Sequence, residues 1–243
     1  MPETPRRTLE LVHAESLSPT VRLFRFRLQE DAPFSYVAGQ WVNLFVPVGE
    51  REERRSYSIA SAPKSDEHGR GLIDIAITKV SGGPVSCALH ELRIGATLEM
   101  DGPWGFFTRE RAPRDEPAVF VGTGTGLSPL RAMLQEEVQR TDGPPLVLLF
   151  GCRTEADMLW HDELREWQKL NPRFRFEPTL SRPSDTWQGR RGYVQEHIQA
   201  LLAPLLPAHV YICGLSDMVH AVRTLLKEEM KLPRQVVHTE RYD

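Results

Sequence analysis

The sequence predicts a two-domain chain: an antiparallel β-barrel over residues 1–112, then a doubly wound parallel α/β sheet over residues 113–243. Three observations predict it. Short alternating strands broken by Gly and Pro fill the first half. A charged stretch with two prolines, Arg109 to Pro117, interrupts all periodicity. After it, apolar strands alternate with amphipathic helices.

In the first half, Thr20 to Leu28 alternates Phe24, Phe26 and Leu28 with Arg25 and Arg27. That is one buried and one wet face of a strand. Gln40 to Val48 reads as a second strand, closed by Pro47 and Gly49. Arg55 to Ala60 follows, then Leu72 to Val80, in which Ile73, Ile75 and Ile77 recur at period two. Thr97 to Asp101 is short and stops at Gly102-Pro103. One helix interrupts the set, Val85 to Leu92, with Ser86 near its start and Gly95 beyond its end.

In the second half, Ala118 to Val121 is an apolar strand and Pro129 to Arg140 a helix. Leu146 to Phe150 is a strand, Glu155 to Leu170 a helix carrying Trp160, Leu164 and Trp167, and Phe174 to Leu180 a third strand. Tyr193 to Leu202, His209 to Cys213, Asp217 to Met230 and Gln235 to Thr239 continue as helix, strand, helix, strand.

Composition narrows the function. Of 243 residues, 33 are acidic and 30 basic, for a net charge of −3, which speaks against nucleic acid as the partner. No apolar run approaches the ~18 residues of a spanning helix. The first residues, with Arg6 and Arg7 but no apolar stretch behind them, read as no signal peptide, so a cytoplasmic location is expected. Three widely spaced cysteines, Cys87, Cys152 and Cys213, form no CxxC, and no HExxH occurs. No metal site or iron–sulfur cluster is expected, and a redox centre must be an organic cofactor or sit on another protein.

The segment Val121-Gly122-Thr123-Gly124-Thr125-Gly126-Leu127-Ser128-Pro129 joins a strand to a helix. Glycines permit a sharp turn and close approach of a ligand. A helix N-terminus presents free N–H groups to a pyrophosphate. The pattern is GxGxxP rather than GxGxxG, and it fits either a bare turn or a dinucleotide seat. The following strands end in basic residues: Arg153 after one, Ser181-Arg182 after the next, then Arg190-Arg191. Such a set suits a 2′-phosphate, or is solvated surface charge. In the first half, Arg55-Ser56-Tyr57-Ser58 offers a phosphate ligand, a flat ring and hydroxyls, and Gly82-Gly83-Pro84-Val85-Ser86 opens the only helix there.

Taken in order, these motifs resemble the ferredoxin–NADP⁺ reductase family. The RxYS motif (Arg55, Tyr57, Ser58), GxxS (Gly83 to Ser86), GPxGxF (Gly102, Pro103, Gly105, Phe106) and the GxGxxP turn are joined by Cys213-Gly214 and by Glu240 two residues before Tyr242. The six span essentially the whole chain. The resemblance implies a barrel that binds FAD and an α/β domain that binds NAD(P). Arg55, Ser56, Gly83, Val85 and Ser86 would hold FAD at its pyrophosphate side. Tyr57 would stack on the isoalloxazine ring, Ser58 would hydrogen-bond near its N5, and Tyr242 would cover the other face and yield to the nicotinamide. Gly124, Thr125 and Gly126 would seat the nucleotide, with Arg153, Ser181, Arg182, Arg190 and Arg191 at the 2′-phosphate. Cys213 would lie beside the nicotinamide, and Glu240 would relay a proton or orient Ser58 and Cys213, so Ser58, Cys213, Glu240 and Tyr242 form the expected catalytic set. Asp243 after the aromatic departs from plant-type members.

The implied activity is electron transfer between NADPH and a separate ferredoxin or flavodoxin. Hydride would pass between nicotinamide C4 and flavin N5 at about 3–3.5 Å. A single flavin and nucleotide module without a fused ferredoxin domain is expected. The alternatives are an NADH-dependent reductase component of an oxygenase, a reductase of free flavin, or a non-enzymatic FAD-holding redox sensor. Arg25, Arg27, Arg51 and Arg54 read as solvated charge or a docking face for an acidic carrier.

Overall fold

The computed structural model describes residues 5–30, 34–110, 112–140 and 142–242. Arg111 within the expected break and Asp243 at the end lie outside the described residues.

The first half folds as a seven-stranded antiparallel sheet: β1 (Arg7–Ser16), β2 (Val21–Leu28), β3 (Trp41–Val48), β4 (Arg51–Ser58), β5 (Lys64–Ser65), β6 (Gly71–Thr78) and β7 (Thr97–Trp104). Their order in the sheet is β4-β3-β7-β1-β2-β6-β5, and β4 comes round to pack against β6. Helix α1 (Pro84–Glu91) packs on β3 and β6, with Leu89 buried beneath it. Phe24, Phe26, Leu28, Ile73, Ile75 and Ile77 share one core, as the period-two reading requires.

The second half is a six-stranded parallel sheet, so the two-domain fold class holds. Its strands are β8 (Ala118–Thr123), β9 (Leu146–Cys152), β10 (Phe174–Leu180), β11 (Arg190–Arg191), β12 (His209–Leu215) and β13 (Val237–Tyr242), in the order β11-β10-β9-β8-β12-β13. Its main helices are α2 (Leu127–Glu137), α3 (His161–Leu170), α4 (Ile198–Leu202) and α5 (Ser216–Thr224). β8 is the first strand of this sheet in the chain, and the order turns from β9 on one side to β12 on the other. The mouth between β8 and β12 is therefore the switch point where such sheets bind ligands.

Several elements differ from the sequence reading. β1 is a strand the alternation did not reveal, because its register against β2 shifts between Leu11 and His13. A bulge there adds a residue and breaks period two. β4 starts at Arg51, not Arg55: Gly49, at φ +61, turns the chain so that Arg51 already pairs with Val48. The first five residues of this edge strand are all charged, which protects its open side. α3 starts at His161 rather than Glu155, because Trp160 sits in the left-handed region at φ 50, after a separate 3-10 turn, Glu155–Asp157. The helices expected at 193–202 and 217–230 are each broken: the first by a 3-10 turn, Val194–Glu196, ahead of α4, the second by a π turn, Leu225–Glu229, after α5.

Arg25 and Arg27 are not free surface charge. Arg27 pairs with Glu10 at 2.7 Å. Arg25 donates to both oxygens of Asp74 at 2.7 and 3.0 Å, and Lys64 reaches the same carboxylate at 2.6 Å. Asp74 is fully buried. Burial pushes its carboxyl up, but the Arg25 hydrogen bonds and the Lys64 charge more than offset that and hold it below the usual value. Asp74→Asn is expected to cost about 3–5 kcal/mol in urea unfolding, because two cations are left facing a neutral amide. Cys87 and Cys152 are half-buried rather than core, whereas Cys213 is buried.

The two sheets share a packed seam. Val21, Leu23, Ala38, Ala60 and Phe107 from the first half lie in one apolar cluster with Leu127, Leu130, Phe120 and Tyr211 from the second. Among the described residues, no helix is long and apolar enough to cross a membrane.

Candidate active site at the domain seam

The glycine turn lies at the switch point. Gly122 is opposite Cys213 in the β8–β12 ladder, and Gly124 takes φ +54 as β8 turns into α2. A Cβ added at Gly126 would lie 2.6 Å from Gly214 Cα and closer still to the Cys213 carbonyl oxygen. Only glycine lets α2 start against β12. The Thr123 and Ser128 hydroxyls are buried here and have no hydrogen-bond partner among the described residues. Orphaned hydroxyls beside a helix start fit a phosphate-bearing nucleotide. The sequence reading passed over both, although they flank the glycines.

Beyond this turn four side chains converge from three strands. β13 runs parallel to β12, so Cys213 faces Glu240 and Leu215 faces Tyr242. β4 of the other sheet ends there at Ser58. The Tyr242 hydroxyl donates to Ser58 Oγ at 2.6 Å, and Ser58 Oγ donates to Glu240 Oε1 at 3.1 Å. Burial pushes the Glu240 carboxyl up to about 7, against a partial offset from Ser58. Burial, then the Glu240 charge, raises the Cys213 thiol well above its usual value. The thiol is therefore protonated near neutral pH. Tyr242 is no loose end: it is a paired rung of β13, and displacing its ring costs a hydrogen bond.

The expected flavin residues line β4 and the start of α1. Arg55 is exposed, and its Nη1 donates to Glu53 at 3.1 Å and to the Arg54 carbonyl at 2.8 Å. Ser56 Oγ donates to Asn43 Oδ1 at 2.8 Å, and Asn43 in turn donates to Asp101 at 2.7 Å. Tyr57 packs half-buried on the barrel core, and burial raises its hydroxyl to about 12, so it presents a neutral ring. Gly83 caps α1 with Pro84 behind it. Ser86 Oγ accepts from the Val80 N–H at 3.0 Å and donates to the Gly83 carbonyl at 3.1 Å, so it braces the loop. Val85 is buried, which leaves only its backbone for a ligand. In the GPxGxF segment, Gly105 lies against the Trp41 ring and Phe106 is exposed.

Comparison with known proteins matches these two halves separately. Residues 8–108 match an oxidoreductase FAD-binding domain, and residues 120–224 match an oxidoreductase NAD-binding domain. The chain is 45% identical over 239 residues to ferredoxin–NADP reductase B of Sorangium cellulosum, covering 96% of each chain. It belongs to the ferredoxin–NADP⁺ reductase family. It is also 32% identical to the phenol hydroxylase P5 protein of Acinetobacter pittii, over 96% of this chain and 64% of that protein. Among solved structures, an Amycolatopsis cytochrome P450 reductase superposes with a TM-score of 0.85 at 27% identity, over 98% of this chain and 71% of that one. A ferredoxin–NADP⁺ reductase of Plasmodium falciparum, at 22% identity and TM-score 0.77 over 97% and 96%, shows the same fold.

The chain is thus a flavoenzyme of this family, with FAD and an NAD(P) nucleotide as its cofactors. Its nucleotide-side basic residues divide into two pairs. Arg190 is held by Glu177 at 3.0 Å, and Arg191 donates to the Ser184 and Trp187 carbonyls at 3.2 and 3.0 Å. Arg153 and Arg182 are exposed, and neither side chain makes an ion pair among the described residues. Their backbones are tied by Arg182 N–H to the Arg153 carbonyl at 2.8 Å, and Ser181 N–H donates to Cys152 at 3.1 Å. The two guanidiniums therefore stand on adjacent strand ends, available to an anion.

Proposed function

We propose that this chain passes electrons between NADPH and a separate one-electron carrier of the ferredoxin or flavodoxin kind. The observation that carries the reading is the Tyr242–Ser58–Glu240 hydrogen-bond chain, which brings together one strand of the barrel and one of the nucleotide sheet beside the glycine turn. Bound FAD supplies hydride acceptance from the nicotinamide and release of single electrons. Arg55, Ser56 and the backbone at Gly83, Val85 and Ser86 bind its phosphate side, and Tyr57 orients its ring. Gly124, Thr125 and Gly126 receive the nucleotide pyrophosphate. Tyr242 shields the reacting face from water until the nicotinamide takes its place. Glu240, with its pKa near 7, takes or returns a proton at Ser58 Oγ. Cys213, protonated and buried, gives the nicotinamide a neutral wall.

Arg153 and Arg182 favour NADPH, because a 2′-phosphate gives them the charge partner they lack. Arg190 and Arg191 support the loop and contribute less. Arg182→Ala is expected to weaken NADP⁺ binding about tenfold, equivalent to ~1.4 kcal/mol, and to leave NAD⁺ binding unchanged. Equal weakening of both nucleotides would place Arg182 outside the 2′-phosphate site.

The test of the whole reading is anaerobic titration of the purified flavoprotein with NADPH and, in parallel, NADH. Faster bleaching with NADPH, followed by reoxidation on adding a ferredoxin or flavodoxin, is expected. Faster bleaching with NADH would favour a reductase component of an oxygenase, a reading supported by the 32% identity to the phenol hydroxylase P5 protein. A bound flavin untouched by either nucleotide would leave the redox-sensing subunit.

A further inference from the structure

The charged cluster at the seam holds one residue that touches both domains. Arg131 lies one turn into α2, the helix that the glycine turn starts. The residue is only 5% exposed. Nη1 donates to the Ala60 carbonyl at 2.5 Å, two residues beyond Ser58 on the barrel side. Nε and Nη2 donate to the two oxygens of Glu163 on α3, each at 2.6 Å. The same Nη1 lies 3.8 Å from Asp74 of β6, and the Trp160 ring packs under the guanidinium at 4.8 Å. One turn along the same face of α2, Gln135 Oε1 accepts the Ala62 N–H at 2.8 Å.

We infer that Arg131 is a positioning residue that fixes the nucleotide turn against the flavin-holding strand; this rests on the proposed function. The argument is geometric. The chain from Ser58 to Ala62 is anchored on its own domain: Ile59 N–H donates to the Gln40 carbonyl at 2.9 Å, and Ala60 N–H to that of Asp74 at 2.7 Å. Arg131 and Gln135 bind that same segment from the second domain. α2 therefore cannot slide along the seam without breaking bonds at Ala60 and Ala62. The bidentate Glu163 contact fixes the guanidinium plane, and Trp160, forced into the left-handed region, gives it a floor. Glu163 balances the charge of Arg131 in the second domain as Asp74 balances Arg25 and Lys64 in the first. A buried arginine with five hydrogen-bonding N–H groups suits this role, and a lysine, which cannot span the three acceptors as a plane, does not. Hydride transfer tolerates little misplacement, so a loosened seam reduces the rate of the bound complex more than its affinity.

The test uses the purified flavoprotein with Arg131→Met and Arg131→Lys. Three quantities are read: the rate of flavin reduction at saturating NADPH, the NADP⁺ dissociation constant, and amide hydrogen exchange at Ala62. The expected result for the methionine variant is a reduction rate about 10- to 100-fold lower with the dissociation constant within about threefold of wild type. Ala62 exchange should rise about tenfold, reporting a seam that opens more often. Lysine should restore only part of the rate. An unchanged saturating rate, or a lowered rate with unchanged Ala62 exchange, overturns the inference. Failure of the wild-type flavin to bleach with either nucleotide overturns the proposed function instead. Should Arg131→Met not retain flavin, Gln135→Leu and Glu163→Gln are measured by the same criteria, and wild-type rates in both overturn the inference.

Discussion

Gly126→Ala is expected to abolish nucleotide binding while the bound-flavin spectrum stays that of the wild type. The methyl group would meet the Cys213 carbonyl and Gly214 Cα, both backbone atoms of a central strand that has no room to retreat. Helix α2 must then move off β12, and with it go the N–H groups of its first turn and the orphaned Ser128 hydroxyl. NADP⁺ affinity should fall at least about 100-fold, because phosphate recognition at a helix start depends on where those N–H groups point. Stability should fall by about 1–3 kcal/mol, the usual cost of an extra methyl in a packed place. Gly124→Ala is the informative contrast. Its φ of +54 strains an alanine by about 1 kcal/mol, but the added methyl meets no other protein atom. In urea unfolding Gly126→Ala should therefore be the more damaging of the two. If Gly126→Ala bound NADP⁺ within threefold of wild type, the nucleotide would not be seated on this turn.

The glycine turn was legible because its signal is local: apolar strand, small residues, then a helix. The same holds for Phe174–Leu180, whose bounds in the structure are those the sequence implies. What failed was local too. β1 hid behind the bulge at Val12, where one added residue makes alternation look like noise. α3 was read six residues too long because Trp160 and Leu164 keep helical spacing on either side of a left-handed residue, and no pattern of apolar residues reports φ. The meeting of Ser58 with Tyr242, at the proposed reaction centre, was legible in a different way. Ser58 and Tyr242 are 184 residues apart, and no spacing rule links them. Only the order of the family motifs brought them together. The fates of the arginines were not legible by either route. Arg153 and Arg190 look alike in sequence, but Glu177 ties down only the second. Nothing local in the sequence marks Arg131 and Asp74 as buried, because their partners come from β2, β5, β6 and α3.

Glu240→Gln should remove a pH dependence from both stability and turnover. A carboxyl that titrates near 7 when folded and near 4.5 when unfolded binds its proton more tightly in the folded chain. Below about pH 4.5 both states hold the proton and this contribution is fully present. Between 4.5 and 7 only the unfolded state gives its proton up, so stability declines as pH rises and the contribution is lost above 7. The decline should be about 1–3 kcal/mol over that window, and the glutamine variant should not show it. Urea unfolding at pH 5 and pH 8, with and without the substitution, measures it. Turnover adds a second signature. The glutamine keeps an acceptor for Ser58 but can neither take nor return a proton, so steady-state electron transfer to the carrier should fall about 10- to 100-fold. Any inflection near pH 7 in kcat should vanish with it. Glu240→Asp keeps the acid but draws it back from Ser58 Oγ, so it should retain the inflection at a reduced rate. An inflection that persists in the glutamine variant would assign the titration to another group and leave Glu240 a hydrogen-bond acceptor that holds Ser58 in place.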